Sequence, residues 1–181
     1  DTQLLTASVD QRAGARMAVK HLLDLGHRRI LHISGPSDWL DAQGREAGWR
    51  SALRGARAKA LPVVVGDWSA DFAYDYASNL SGELDFTAVF CGNDQMALGL
   101  LHGLSERGID VPGDISVVGF DDLPEARHYL PPLTTVRQDF HTLGRHVVEA
   151  LLAAIEGRPA THDTVIEPEL VVRASTAAPA R

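Results

Sequence analysis

Cysteine is nearly absent: Cys91 stands alone among 181 residues, so no internal disulfide can form. Its place within the apolar run Phe86-Thr87-Ala88-Val89-Phe90-Cys91 suits a small core residue better than a reactive thiol. No apolar stretch nears the ~20 residues that span a bilayer, and Asp1-Thr2-Gln3 lacks the basic start of a secretory signal. A cytoplasmic address with no membrane partner is the expectation. Clustered positive charge is missing too. The net charge is −7, with ten Lys and Arg against six acids in residues 1–60 and seven against eighteen in residues 61–181. The Arg residues are scattered along helical faces, which argues against direct contact of this segment with nucleic acid.

The fingerprints of several chemistries are also lacking. Neither G-x-G-x-x-G nor G-x-x-x-x-G-K-[ST] occurs, so no glycine loop is set to cradle phosphates. There is no G-x-S-x-G elbow for a nucleophilic serine, and the eight histidines include no H-E-x-x-H pair. His141 and His146 are five apart, on different faces of a helix, so no shared metal is expected. The chain reads as a non-enzyme without cofactor or metal.

What is present is an alternation of short β-rich runs and helical periods, in a chain whose 45% hydrophobic content can fill a core. Residues 4–9 read as a strand, followed by an Asp10-capped helix with Ala15, Ala18, Val19, Leu22 and Leu23 at helical spacing. Residues 29–34 form a strand closing at Ser34-Gly35-Pro36, and a helix from about Ala42 carries Arg45 in its first turns. Pro62 to Gly66 is the next strand, with Asp67-Trp68-Ser69 at its carboxyl end before a further helix. Then comes a unit of strand, helix and strand: Phe86 to Cys91, a helix from Gln95 capped by Asp94, and Ile115 to Gly119 ending in Phe120-Asp121-Asp122. Leu133 to Gln138 read as an extended connector, and Asp139 opens a long helix stopped by Gly157 and Pro159. Val165-Ile166 and Leu170-Val171-Val172 read as a last strand before a loose Ala-rich tail. Four βα repeats of this kind predict an α/β fold with a parallel sheet and helices on both faces.

Two parallel strands joined by one crossover helix place their carboxyl ends on the same sheet edge, so Asn93 and Asp121 stand side by side. An amide beside a carboxylate suits hydroxyl groups, since the carboxylate repels phosphate. Arg45 could fork onto two hydroxyls or onto Asp121, and the Trp68 indole could cover the C–H face of a sugar ring. Each residue alone also has a plain structural reading: caps and turns for Asn93 and Asp121, an exposed helical Arg, a loop plug for Trp68.

Five segments together resemble the effector-binding region of the lac repressor family of bacterial transcription regulators. They are Leu22 to His27, Arg45-Glu46-Ala47-Gly48-Trp49, Gly66-Asp67-Trp68-Ser69-Ala70, Asn93 to Gly99, and Ile115 to Asp122 with Pro131 to Phe140. The resemblance implies a type I periplasmic-binding-protein-like fold, its carboxyl-terminal lobe complete and its amino-terminal lobe partial. Residues 1–9 and 139–174 would belong to the amino-terminal lobe, 10–138 to the carboxyl-terminal lobe and 175–181 to a tail. It further implies that Arg45, Asn93 and Asp121 bind effector hydroxyls, that Trp68 stacks on the effector, and that Gln138 and Phe140 line the cleft. The loop 37–41, with Trp39 and Asp41, departs from a member of that family that has small polar residues there, and so leaves the identity of the sugar open. A small carbohydrate effector is implied, with homodimerisation through the helix Gln95 to Arg107 and the loop Glu125 to Tyr129. Operator DNA would be met only by a helix-turn-helix headpiece outside this sequence, with Thr134 to Phe140 as the hinge. A solute-binding protein of a transport system is the alternative on the same fold.

Overall fold

The computed structural model describes residues 6–82, 84–158 and 164–180. Leu4, Leu5 and Pro159, assigned above to a strand and a helix stop, lie outside them. Fourteen elements follow one another among the described residues. Strand β1 (Ala7–Val9) leads into helix α1 (Gln11–Asp24), then β2 (Ile30–Ser34), α2 (Leu40–Gly55), β3 (Val64–Val65) and α3 (Ala70–Ser78). Next come β4 (Ala88–Cys91), α4 (Asp94–Glu106), β5 (Ser116–Asp121), a 3-10 turn (Pro124–His128), β6 (Thr134–Arg137), α5 (Phe140–Ile155), β7 (Thr164–Ile166) and β8 (Glu169–Val171).

Six strands form one sheet in the order β3-β2-β4-β5-β6-β8, parallel except for β8, which runs antiparallel to β6. Its central strands are apolar on both faces because each face carries a helical layer. Ala88, Phe90, Val118 and Phe120 point to the layer of α1 and α2, where Leu22, Trp49 and Leu53 are buried. Their neighbours Val89, Cys91 and Val117 point to α3 and α4, meeting Ala73, Met96 and Leu100. The period-2 alternation of side chains across a strand thus divides the core into two halves. Cys91 is a core residue, and burial pushes its thiol up. A second, two-stranded sheet pairs β1 with β7 in parallel, and α5 lies against it.

Three expectations change. The extended connector is itself a strand: β6 pairs with β5, with Val118 opposite Thr134 and Asp121 opposite Arg137, so the passage between the two sheets starts only at Gln138. The last strand is two strands, β7 in the small sheet and β8 in the large one, so the return segment expected to run to residue 174 leaves the small sheet before Glu169. The tail is not loose. Ser175 is buried, its hydroxyl donating to the Val117 carbonyl at 2.6 Å and accepting from the Thr134 N–H at 2.8 Å. His27 receives the same tail, its Nε2 lying 2.8 Å from the Ala177 carbonyl.

Candidate functional site

Doubly wound sheets bind ligands at the carboxyl ends of their strands, where the strand order reverses. Here that point lies between β2 and β4, because α2 leads outward to β3 and α3 carries the chain back across to β4. A cavity of about 330 Å³ opens at this edge, with Ser8, Phe140 and Leu143 of β1 and α5 on its other side.

Trp68 forms one wall. Its backbone is left-handed (φ +73°), and its indole lies so close over Gly35 that a Cβ there would overlap it. Gly35 is therefore glycine because an aromatic ring needs the space. Asn93 fixes this loop: its Nδ2 donates to the Trp68 carbonyl at 3.0 Å, while its Oδ1 accepts from the Met96 N–H at 2.8 Å. Asn93, rather than the expected Asp94, is thus the N-cap of α4. Asp94 is instead buried beneath the site, accepting from Thr135 Oγ1 at 2.5 Å and the Leu123 N–H at 2.8 Å. Burial pushes its carboxyl up to about 7 against the pull of those bonds.

Arg45 is 4% exposed, so the exposed-helix reading fails. Its guanidinium carbon lies 4.0 Å from the Phe120 ring centre and 5.4 Å from that of Trp68. Nη1 donates to the Gly92 carbonyl, Nε donates to Gln11 Oε1 at 2.8 Å, and Nη2 stands 3.4 Å from Asp121 Oδ1. Gln11 Nε2 in turn donates to Gln138 Oε1 at 2.8 Å, and Gln138 Nε2 to Asp121 Oδ1 at 2.7 Å. Arg45, Gln11, Gln138 and Asp121 therefore close a ring of polar contacts at the cavity. Burial lowers the Arg45 pKa while Asp121 opposes the fall; burial likewise raises that of Asp121 while Arg45 and the Gln138 bond oppose the rise. Each charge is kept by the other, and removing either strands its partner in a poorly hydrated site.

The backbone aims these groups. Asp121 (φ +118°) and Asp122 (φ +55°) both hold positive φ, a strained state for a residue with a side chain that clusters at functional sites. The twist separates their roles. Asp121 faces the cavity, whereas Asp122 accepts from Arg137 Nε at 2.7 Å and Arg173 Nη2 at 2.5 Å. Burial would raise the Asp122 carboxyl, but the bonds from Arg173 and Arg137 outweigh it and hold it below the usual range.

The eight residues named from the sequence come together around this one cavity. Arg45, Trp68, Asn93, Asp121 and Gln138 form its inner part, and Trp39, Asp41 and Phe140 stand at its mouth. Sequence reasoning missed Gln11, which completes the polar ring. Its position directly after the β1 end and the Asp10 cap put it on the functional edge, and that adjacency was the available signal.

Residues 19–176 match the family model described as periplasmic binding protein-like domain. The chain is 38% identical over 167 residues to the lactose operon repressor of Escherichia coli K12, an alignment covering 92% of this chain and 46% of that protein. With the HTH-type transcriptional regulator MalR of Streptomyces coelicolor it shares 41% identity over 177 residues, or 94% and 51% of the two chains. It therefore spans about half the length of these curated relatives. A dimeric Lac repressor with a carboxyl-terminal deletion superposes with a TM-score of 0.88 at 36% identity, over 96% of this chain and 64% of that one. The transcriptional regulator CelR in complex with cellobiose gives 0.88 at 35%, over 96% and 54%. With this cavity, this sheet order and these relatives, the chain belongs to the periplasmic binding protein-like domain family and, within it, to the lac repressor family.

Proposed function

We propose that this chain is the effector-sensing part of a sugar-responsive transcription regulator, binding a small carbohydrate in the cavity between its two sheets. The observation that carries the reading is the polar ring of Arg45, Gln11, Gln138 and Asp121 set beside the Trp68 indole. Fixed donors and acceptors serve hydroxyls, and the indole serves the apolar face of a pyranose. The relatives are a repressor and transcriptional regulators, one of the regulators solved as a cellobiose complex, which supports regulation over solute transport and over catalysis.

The same cavity supplies a route for signalling. Gln138 and Phe140 lead from β6 into α5, so a ligand resting on them and on Arg45 touches both structural units and favours the arrangement in which all contacts are made. DNA would be read by a headpiece elsewhere in the full regulator, in the cytoplasm, and pairing of two copies would present two headpieces to two half-sites. Leu98 on α4 and Leu130 after the 3-10 turn are exposed and suit that pairing. Tyr129, expected at the interface, packs into the core instead.

Calorimetric titration of the chain with monosaccharides and disaccharides tests the reading. Binding of at least one sugar is expected, weakened about ten- to hundredfold by Arg45→Ala through loss of charged hydrogen bonds. Equal affinities of wild type and Arg45→Ala would remove the polar ring from the binding site.

A further inference from the structure

We infer that the cavity has a second, outer sugar position built on Trp39 and Asp41, so that its ligand is a saccharide of at least two units rather than a single hexose. This rests on the carbohydrate reading above and adds the length of the ligand.

Trp39 occupies the N-cap position of α2, where Ser, Thr, Asn or Asp would accept a hydrogen bond from the first turn; it makes no such side-chain bond. The helix therefore starts without a side-chain cap and carries there an indole that is 55% exposed. A residue that breaks a local rule and leaves a large ring in solvent is explained when the ring has an occupant. The ring is also oriented. Its centre lies 6.0 Å from that of Trp68 with the planes at 70°, so the two indoles form an open corner along the cavity wall.

Asp41 repeats the relation on the polar side. It lies four residues before Arg45 on α2, hence on the same helical face about 6 Å further out. That step is close to the length of one pyranose ring. Among the described residues the Asp41 carboxylate makes no hydrogen bond or ion pair, although it lines the same cavity and its charge is felt at Arg45. The inner position thus offers an indole with a charged hydrogen-bonding group, Trp68 with Arg45, and the outer position offers another, Trp39 with Asp41. An aromatic face beside a carboxylate acceptor suits a second hydroxylated ring better than a purely apolar aglycone.

The test is calorimetry on the 181-residue chain with glucose, galactose, cellobiose, maltose, lactose and a p-nitrophenyl glucoside, its folding checked by circular dichroism. At least one disaccharide should bind roughly tenfold tighter than its component hexose, the scale of one added aromatic contact. Trp39→Ala and Asp41→Ala should each shrink that ratio toward unity, and Trp39→Phe should restore most of it. Equal affinities for hexose and disaccharide, or a ratio unmoved by Trp39→Ala, overturn the outer position while leaving the inner site standing. A p-nitrophenyl glucoside that gains as much as the disaccharide, with no response to Asp41→Ala, also overturns it, because the corner then reads an apolar group. Failure of every saccharide to bind overturns the carbohydrate reading itself.

Discussion

Helices α4 and α5 are both rich in apolar residues, yet they meet opposite fates. Along α4, Met96, Ala97, Leu100, Leu101 and Leu104 are buried between the sheet and α3. Along α5, Val147, Val148, Leu151, Leu152 and Ile155 remain 48–71% exposed, and Ala153 is the buried residue. A helical hydrophobic stripe shows that a face is suited to being covered, and the pattern is silent on what covers it. In α4 the cover is the chain's own sheet. Among the described residues, the small β1 and β7 sheet lies along one side of α5, where a cavity is lined by Ala7, Val147 and Leu151.

The largest effect that would test this contrast comes from truncating one leucine in each helix. Leu100→Ala should cost about 2–5 kcal/mol, because it removes fully buried methyl groups and leaves a cavity in a rigid layer. Leu151→Ala, in this chain as it stands, should cost no more than about 0.5 kcal/mol, as for other exposed positions. Urea unfolding measures both. Equal losses would mean that α5 is covered as well as α4.

Glycines sharpen the same comparison at a smaller scale. A Cβ on Gly99 would run into the backbone carbonyl of Ala70, at the closest approach of α3 and α4. Backbone cannot swing aside as a flexible side chain can. Gly99→Ala should therefore destabilise by about 1–3 kcal/mol despite its better helix propensity. A melting temperature equal to wild type would show that the two helices can separate at little cost.

The same physics sets what the sequence revealed. Strand and helix types were legible where periodicity was long, as in α1 and α4, and the adjacency of Asn93 and Asp121 followed from crossover geometry before any side chain was placed. Strand β6 was not recognised, because Pro131-Pro132 and its four residues read equally well as extended linker. The placement of β8 depends on antiparallel pairing with β6, a tertiary contact without local signature. The Ala-rich tail hid Ser175 and Thr176, whose hydroxyls find partners only in the folded sheet. Gln11 was missed because an amide at a helix start is unremarkable until Arg45 and Gln138 are brought to it.

The acids at the starts of the two helices give a further test, with opposite signs. Asp94 of α4 is buried and its carboxyl is raised to about 7. The folded state then binds a proton that the unfolded chain releases near ~3.9, so this contribution is full below ~4 and is lost as pH rises through about 7. Asp139, the cap of α5, is lowered by its bonds to Thr142. Its contribution is present above ~4 and lost as pH falls below that. Between pH 5 and 8, Asp94→Asn should therefore flatten a decline in melting temperature, by roughly 2–4 °C for each kcal/mol of linkage. Asp139→Asn should leave the slope in that window as it is. Identical slopes for wild type and Asp94→Asn would show that Asp94 is ionised in the fold.

The smallest expected effect returns to α5 and inverts the result at Gly99. Gly144 sits within the helix, exposed, and a Cβ built on it meets nothing within 4 Å. Alanine there adds no clash, while it narrows the conformations open to the unfolded chain and improves helix propensity. Gly144→Ala should stabilise α5 by about 0.5–1 kcal/mol, visible as slower amide exchange along residues 140–155 rather than as a large shift in global melting. Amide exchange reports local opening, and a helix held along one side opens more readily than one held between two layers. Faster exchange in Gly144→Ala would show that another surface approaches this face closely enough to need the missing side chain, and α5 would then resemble α4 after all.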